Sequence, residues 1–126
     1  MSEQSKAAQP SAVTIAYFYR VRWGFHGEWW DLFRRNHYPI LADQVTSGPL
    51  LEVQAYGPRF HGDGRADWTF LVTITYRDWA AVEAHAEAEI AERLFPDQER
   101  YKAEERRRFE LLDAHWDVPL EERPLE

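Results

Sequence analysis

The sequence has no cysteine, which removes disulfides, thiolate nucleophiles and cysteine-type zinc sites together. It has no run approaching the ~20 apolar residues of a membrane-spanning helix, so no membrane partner is expected. Positive charge is scarce: fifteen Lys and Arg stand against twenty-two Asp and Glu, a formal charge of −7. Phosphate backbones are held by clustered cations, so no nucleic-acid partner is expected either. The run Arg106-Arg107-Arg108 is preceded by Glu104 and Glu105 and followed by Glu110, and it reads as a solvated helix face. No glycine-rich phosphate loop and no Ser-His-Asp pattern can be traced, so no cofactor is expected. Residues 1–12 are polar and lack an apolar signal region, which predicts a disordered tail on a cytoplasmic protein.

What the chain does have is aromatic mass. Of 126 residues, 15% are aromatic and six are tryptophan, enough to fill a core quickly or to line a pocket for a flat ligand. This length predicts one domain, residues 13–122, followed by a short tail at 123–126. Residues 13–23 alternate, with Val13, Ile15, Tyr17, Tyr19, Val21 and Trp23 on one face and Thr14, Ala16, Phe18, Arg20 and Arg22 on the other. That is a strand, broken by Gly24 and Gly27. Residues 50–60 and 67–76 read as two more strands joined by the polar loop His61-Gly62-Asp63-Gly64-Arg65. Asp78 is a suitable N-cap for a helix reaching Leu94, with Trp79, Val82, Ala86, Ile90 and Leu94 as its buried stripe. A further helix is expected over 98–114, and a last short strand over 116–120, where Pro119 requires a sheet edge.

Between the first two strands, residues 29–45 follow helical periodicity and carry the most informative residue of the chain. Trp29, Trp30, Phe33, Ile40 and Leu41 share one arc, with His37 in its middle and Gln44 alongside. Pro39 should bend this helix just after His37, and Gly48-Pro49 should end it. A titratable ring aimed into a core either meets one buried partner or lines a cavity.

The element order predicts an α+β fold, ferredoxin-like βαββαβ with an extra helix before the last strand, its helices on one face of a four-stranded antiparallel sheet. The other sheet face, with Ala16, Phe18, Leu71 and three threonines, is too apolar for water, so a second copy is expected to cover it as a homodimer. Three segments carry a resemblance: the aromatic first strand Ile15-Ala16-Tyr17-Phe18-Tyr19-Arg20-Val21, the helix element His37-Tyr38-Pro39-Ile40-Leu41, and Asp67-Trp68-Thr69-Phe70 through Tyr76-Arg77-Asp78-Trp79. On these residues the chain resembles the dimeric α+β barrel superfamily, across roughly residues 13–120. The resemblance implies sheet-to-sheet pairing of two ferredoxin-like subunits and a small-molecule pocket between helices and sheet. Its members' functions are broad, from cofactor-free monooxygenases and isomerases to stress-induced proteins without assigned activity.

The expected ligand is a small apolar or aromatic molecule. His37, Tyr17 and Tyr19 are the candidate catalytic residues: a histidine of ordinary pKa, ~6.5, suits proton transfer near neutrality, and a tyrosine hydroxyl can polarise an oxygen. Trp30, Phe33 and Gln44 are candidate ligand-binding neighbours. Arg59, His61, Asp67 and Trp68 are candidates at a pocket mouth, against the alternative of an ordinary hairpin tip. His85 and Glu89 stand four apart on the second expected helix, but no third ligand has a recognisable spacing, so no metal site is expected. The haem-degrading branch implied by the resemblance uses an Asn–Trp–His set. Trp68 and His85 could supply two members, while the first strand offers no Asn.

Overall fold

The computed structural model describes residues 11–60 and 67–126. The predicted tail 1–12, apart from Ser11 and Ala12, and the loop containing His61 lie outside the described residues. Four strands, β1 (Val13–Val21), β2 (Leu50–Tyr56), β3 (Phe70–Tyr76) and β4 (Leu112–Leu120), form one antiparallel sheet in the order β2-β3-β1-β4. The helices pack on one face, as the alternation of β1 requires. Ile15 lies opposite Ile74, Tyr17 opposite Val72 and Tyr19 opposite Phe70, so the inward residues of both strands form one apolar surface. Tyr19, Val21, Val72 and Ile74 are buried there beneath Trp29, Leu32, Phe33 and Leu41. β4 is an edge strand, which is where Pro119 is tolerated.

The His37 helix starts earlier than its apolar stripe. Helix α1 spans His26–Leu32, a π-helical turn spans Phe33–His37, and α2 spans Tyr38–Ser47. Gly27 therefore sits inside the first helical turn instead of breaking the strand; Gly24, at φ +92°, makes the turn alone. The distortion expected just after His37 lies instead in the turn that ends at His37. Proline offers no N–H and its ring crowds the carbonyl four residues back, and the chain relieves this by widening the preceding turn. The Tyr38 amide accordingly donates to Phe33, five residues back. Gly48, at φ +113°, closes α2 by donating its amide to the Gln44 carbonyl at 3.0 Å.

The second expected helix is two. Asp78 caps α3 (Trp79–Val82) through the Ala81 amide at 2.8 Å, as predicted, but the chain then breaks at His85, φ +53°, and resumes as α4 (Glu87–Leu94). Trp79 is exposed, while Ile90 and Ala91 pack on Ile40 of α2. His85 and Glu89 thus do not share a helix. Helix α5 (Gln98–Glu110) stops short of the predicted 114, because the residues after it pair with β1: Leu112 lies opposite Val21 and Ala114 opposite Arg20. β2 ends at Tyr56, before Gly57-Pro58, and β3 begins at Phe70 instead of Asp67.

The π-turn also buries Asn36, which is 3% exposed. Its amide donates to Glu104 of α5 at 2.8 Å, and Arg35 and Arg100 donate to the same carboxylate at 3.2 and 3.1 Å. These donors, Asn36 first, hold the Glu104 carboxyl down to about 2. A hydrogen bond between a buried amide and a charged acceptor contributes about 1.5–3 kcal/mol. Asn36→Ala is therefore expected to lower unfolding free energy by about that amount in urea titration. A loss below about 0.5 kcal/mol would show that the tie between the π-turn and α5 is incidental.

Candidate functional site

Between the sheet and the helices lies a cavity of about 180 Å³. A dry cavity of about 150 Å³ accommodates benzene, so this volume suits one aromatic ring. Its walls include Tyr17, Tyr19, Phe33, His37 and Gln44, five of the residues singled out from the sequence. β1 supplies the tyrosines because its inward positions alternate; the helix supplies Phe33, His37 and Gln44 from its apolar arc. A second hollow of about 400 Å³ lies on the α4–α5 side and shares His37, Glu87, Arg108 and Phe109 with the first.

His37 turns inward, with 19% of its side chain accessible, its ring 5.4 Å from that of Phe33 and its Nδ1 3.9 Å from a Glu87 carboxylate oxygen. Burial first, and the nearby Arg108 charge second, bring its pKa down to about 3. The ring is therefore neutral at physiological pH and a much weaker base than a histidine of ordinary pKa. This corrects the expectation of a group poised near neutrality. The Tyr17 and Tyr76 hydroxyls meet at 2.6 Å. Burial, reinforced by this bond, holds Tyr17 well above the usual phenol range. Burial also pushes Tyr19 up to about 12, despite the opposing pull of Arg108. Burial, then repulsion from Glu105, raises the Glu87 carboxyl.

The largest departure from the sequence reading is Arg108. It is 2% exposed and lines the cavity instead of facing solvent. Its Nε and Nη2 donate to the two Glu105 oxygens, both at 2.9 Å. Its guanidinium carbon lies 4.7 Å from the centre of Phe109, 5.7 Å from Trp29 and 5.9 Å from Phe33. A charged run suggested a solvated face; helical arithmetic from Tyr101 through Glu105 to Arg108 would have placed it on the inner stripe. His115 was also missed. It lies opposite Tyr19 in the sheet, its ring stacked on that tyrosine at 4.7 Å and its Nε2 3.4 Å from Asp117. Tyr76 follows from the alternation of β3, while no sequence signal marked Glu87.

The other candidates do not gather here. Trp30 is stacked on Phe33 at 5.4 Å and Phe70 at 4.8 Å, and it lines a separate hollow with Tyr38 and Val53 instead of this cavity. Arg59 is exposed beyond the end of β2 and lines no part of this cavity. The Asp67 carbonyl accepts from Arg20 Nε at 2.8 Å. Trp68 packs edge-on against Phe18 at 5.8 Å, on the sheet face away from the helices. Regular alternation begins only at Phe70, so the strand pattern does not fix the face of Trp68, which lies away from the cavity. His85 lines the cavity, so the pair Trp68 and His85 is divided by the sheet. Among the described residues, no three His, Asp or Glu side chains cluster as metal ligands, and no helix is long and apolar enough to cross a membrane.

Comparison with known proteins rests on structure alone. No protein-family profile matches the sequence, and no curated protein is significantly similar to it. Among solved structures, a NIPSNAP family protein from Agrobacterium tumefaciens superposes with a TM-score of 0.53 at 21% identity, covering 90% of this chain and 95% of its own. A mutant of SnoaB, a cofactor-independent oxygenase from Streptomyces nogalater, gives 0.53 at 14% identity over 90% and 95% of the two chains. A dimeric ferredoxin-like protein of unknown function from Jannaschia sp. gives 0.55 at 16%, covering 87% and 98%. The chain has a ferredoxin-like fold, a four-stranded antiparallel sheet with its helices on one face. Its variations on that fold are the split helix α3/α4 and the additional α5, the latter bringing Arg108 to the cavity.

The buried His37 makes a pH prediction. Its folded pKa of about 3 lies below the ~6.5 of an unfolded chain. Protonation thus favours unfolding, and the stability present above pH ~6.5 is lost as pH falls toward 3, with a slope of at most about 1.4 kcal/mol per pH unit. Glu104 acts in the same direction, but only from its ordinary carboxylate range down to about 2. Between pH ~6.5 and ~4.5 His37 therefore outweighs Glu104, and His37→Gln should flatten the pH dependence of the urea midpoint there. Equal slopes for the two proteins in that window would contradict the burial of the ring.

Proposed function

We propose that this protein binds a small, largely apolar or aromatic molecule in the cavity between sheet and helices. The observation that carries this reading is the wall composition. An apolar arc of Phe33, Leu41, Val72 and Ile74 meets a convergent polar set of His37, Tyr17, Tyr19 and Tyr76 in one buried space. A core built only for packing would not bring four such hydroxyl and imidazole groups together beside open volume. The chemistry the arrangement suits is isomerisation, or cofactor-independent oxygenation with dioxygen as co-substrate, of a cyclic molecule that enters already ionised. Tyr17 and Tyr19 stay protonated and donate to a substrate oxygen, and neutral His37 orients it. The structural likeness to a cofactor-independent oxygenase supports this assignment. Cytoplasmic location belongs to the same reading.

The second reading is a non-catalytic stress-response or interaction module. It draws on the stack of Trp29, Trp30, Phe33 and Phe70, whose rings pack against one another, with only Phe33 also reaching the cavity wall. Thermal-shift and NMR screening of single-ring aromatics separates the two. The binding reading predicts hits that shift the Tyr17, Tyr19 and His37 resonances and disappear in Ala86→Phe, which fills the cavity from a half-buried wall position. Shifts scattered over the surface, unaffected by that variant, would favour the module. Once a substrate is in hand, His37→Ala should lower turnover with the fold intact, as loss of an orienting group does.

We also propose a homodimer through the outer sheet face. Phe18 and Trp116 stack there at 5.4 Å, with Val118 and Leu120 exposed at 38% and 51%. Apolar residues side by side on a sheet face call for a cover, and structural relatives are described as dimeric. Light scattering should give about 30 kDa, twice the 15.0 kDa chain, and Trp116→Glu should yield monomers. A 15.0 kDa wild-type species would rule the dimer out.

A further inference from the structure

Arg108 has an unused donor. Glu105 engages Nε and Nη2, which lie along one edge of the guanidinium. Nη1, at the far side from that edge, is buried and meets no acceptor at full hydrogen-bond geometry among the described residues. Beyond Glu105, the guanidinium interacts with the Tyr19 hydroxyl, drawing its pKa down against burial. A guanidinium whose N–H groups are buried without acceptors carries a desolvation cost that natural folds rarely leave uncompensated. The residue lines both hollows described above, at the wall they share with His37. Its surroundings keep it there. Three aromatic rings lie within 6 Å of the cation, and the paired Glu105 side chain is itself 17% exposed.

We propose that Arg108 Nη1 is the ligand's anion anchor, so that the molecule held in the cavity is a ring compound carrying an ionised oxygen: a phenolate, an enolate or a carboxylate. This rests on the binding reading above and narrows its ligand class. The chemistry around the nitrogen agrees. A planar guanidinium directs its N–H groups at an anionic oxygen with charge-assisted strength, in a site where water screens little. The neighbouring Tyr19 hydroxyl is held in its protonated form and brings no competing negative charge, while Tyr17 is paired with Tyr76. His37 brings no competing positive charge because its ring is neutral. The aromatic lining then accounts for the rest of the ligand, stacking on its ring face.

The test uses 4-nitrophenol, whose phenolate is visible by absorbance, against 4-nitroanisole, its neutral methyl ether, on the full-length protein. The expected result is at least about tenfold tighter binding of the phenolate, as one charge-assisted hydrogen bond provides, with a lowered phenol pKa on the protein. In Arg108→Met that preference should vanish while the ether still binds. The wild-type comparison stands alone should this variant fail to fold. Equal affinity for the two probes overturns the anion anchor and leaves the binding reading standing. Failure of both probes to bind in the cavity overturns the binding reading, and the anchor with it.

Discussion

The site depends on one cation kept out of water. Burying a guanidinium is costly unless its charge is matched, and here the two-oxygen contact with Glu105 supplies the match at 2.9 Å on each nitrogen. The aromatic rings around it do the rest, and they come from different parts of the chain: Trp29 from α1, Phe33 from the π-turn, Phe109 from α5 itself. Holding Arg108 therefore also holds α5 over the first helix. Its field reaches inward. Arg108 contributes, after burial, to the low pKa of His37, and it tempers the rise of Tyr19 that burial causes. One buried charge thus helps set the protonation state of both neighbours in the cavity.

The π-turn solves a geometric problem that follows from this. His37 must face the sheet while the same stretch of chain also grips α5. In a regular α-helix, adjacent residues diverge by 100°, and the widened turn leaves Asn36 buried against Glu104 with His37 beside the cavity. Pro39 makes the widening cheap, since its missing N–H and bulky ring already disfavour the regular hydrogen-bond pattern. A backbone irregularity thereby ties the cavity to the docking of the last helix.

Periodicity made most of this architecture legible. Strict alternation placed Tyr17 and Tyr19 on the helix side, and the 3.6-residue period put Phe33, His37 and Gln44 on the buried arc; all five line the cavity. What failed were readings at element ends and in charged runs. Trp68 lies just before β3 becomes regular, where alternation no longer reports the face. Residues 111–114 carry no helix-stop signal, and only pairing with β1 turns them into strand. Arg108 looked solvated because its neighbours Arg106 and Arg107 are, yet a helix can expose two of three consecutive residues and bury the third. Burial effects on pKa are tertiary by nature, so the depressed pKa of His37 had no local signal at all.

The energetics of proton transfer narrow what the proposed site can do. A phenolic ligand with an ordinary pKa of ~10 would have to give its proton to an imidazole whose own pKa is about 3. That transfer is uphill by roughly seven units, or about 10 kcal/mol. Tyr17 and Tyr19, held protonated, cannot accept it. A cavity of this kind does not extract protons from weak acids by basicity. As an anion site of the kind proposed, it would favour ligands that are already acidic and would deepen their ionisation through the buried Arg108 charge. Under the proposed function, any catalysis would therefore reside in stabilising an anion, with His37 acting through orientation.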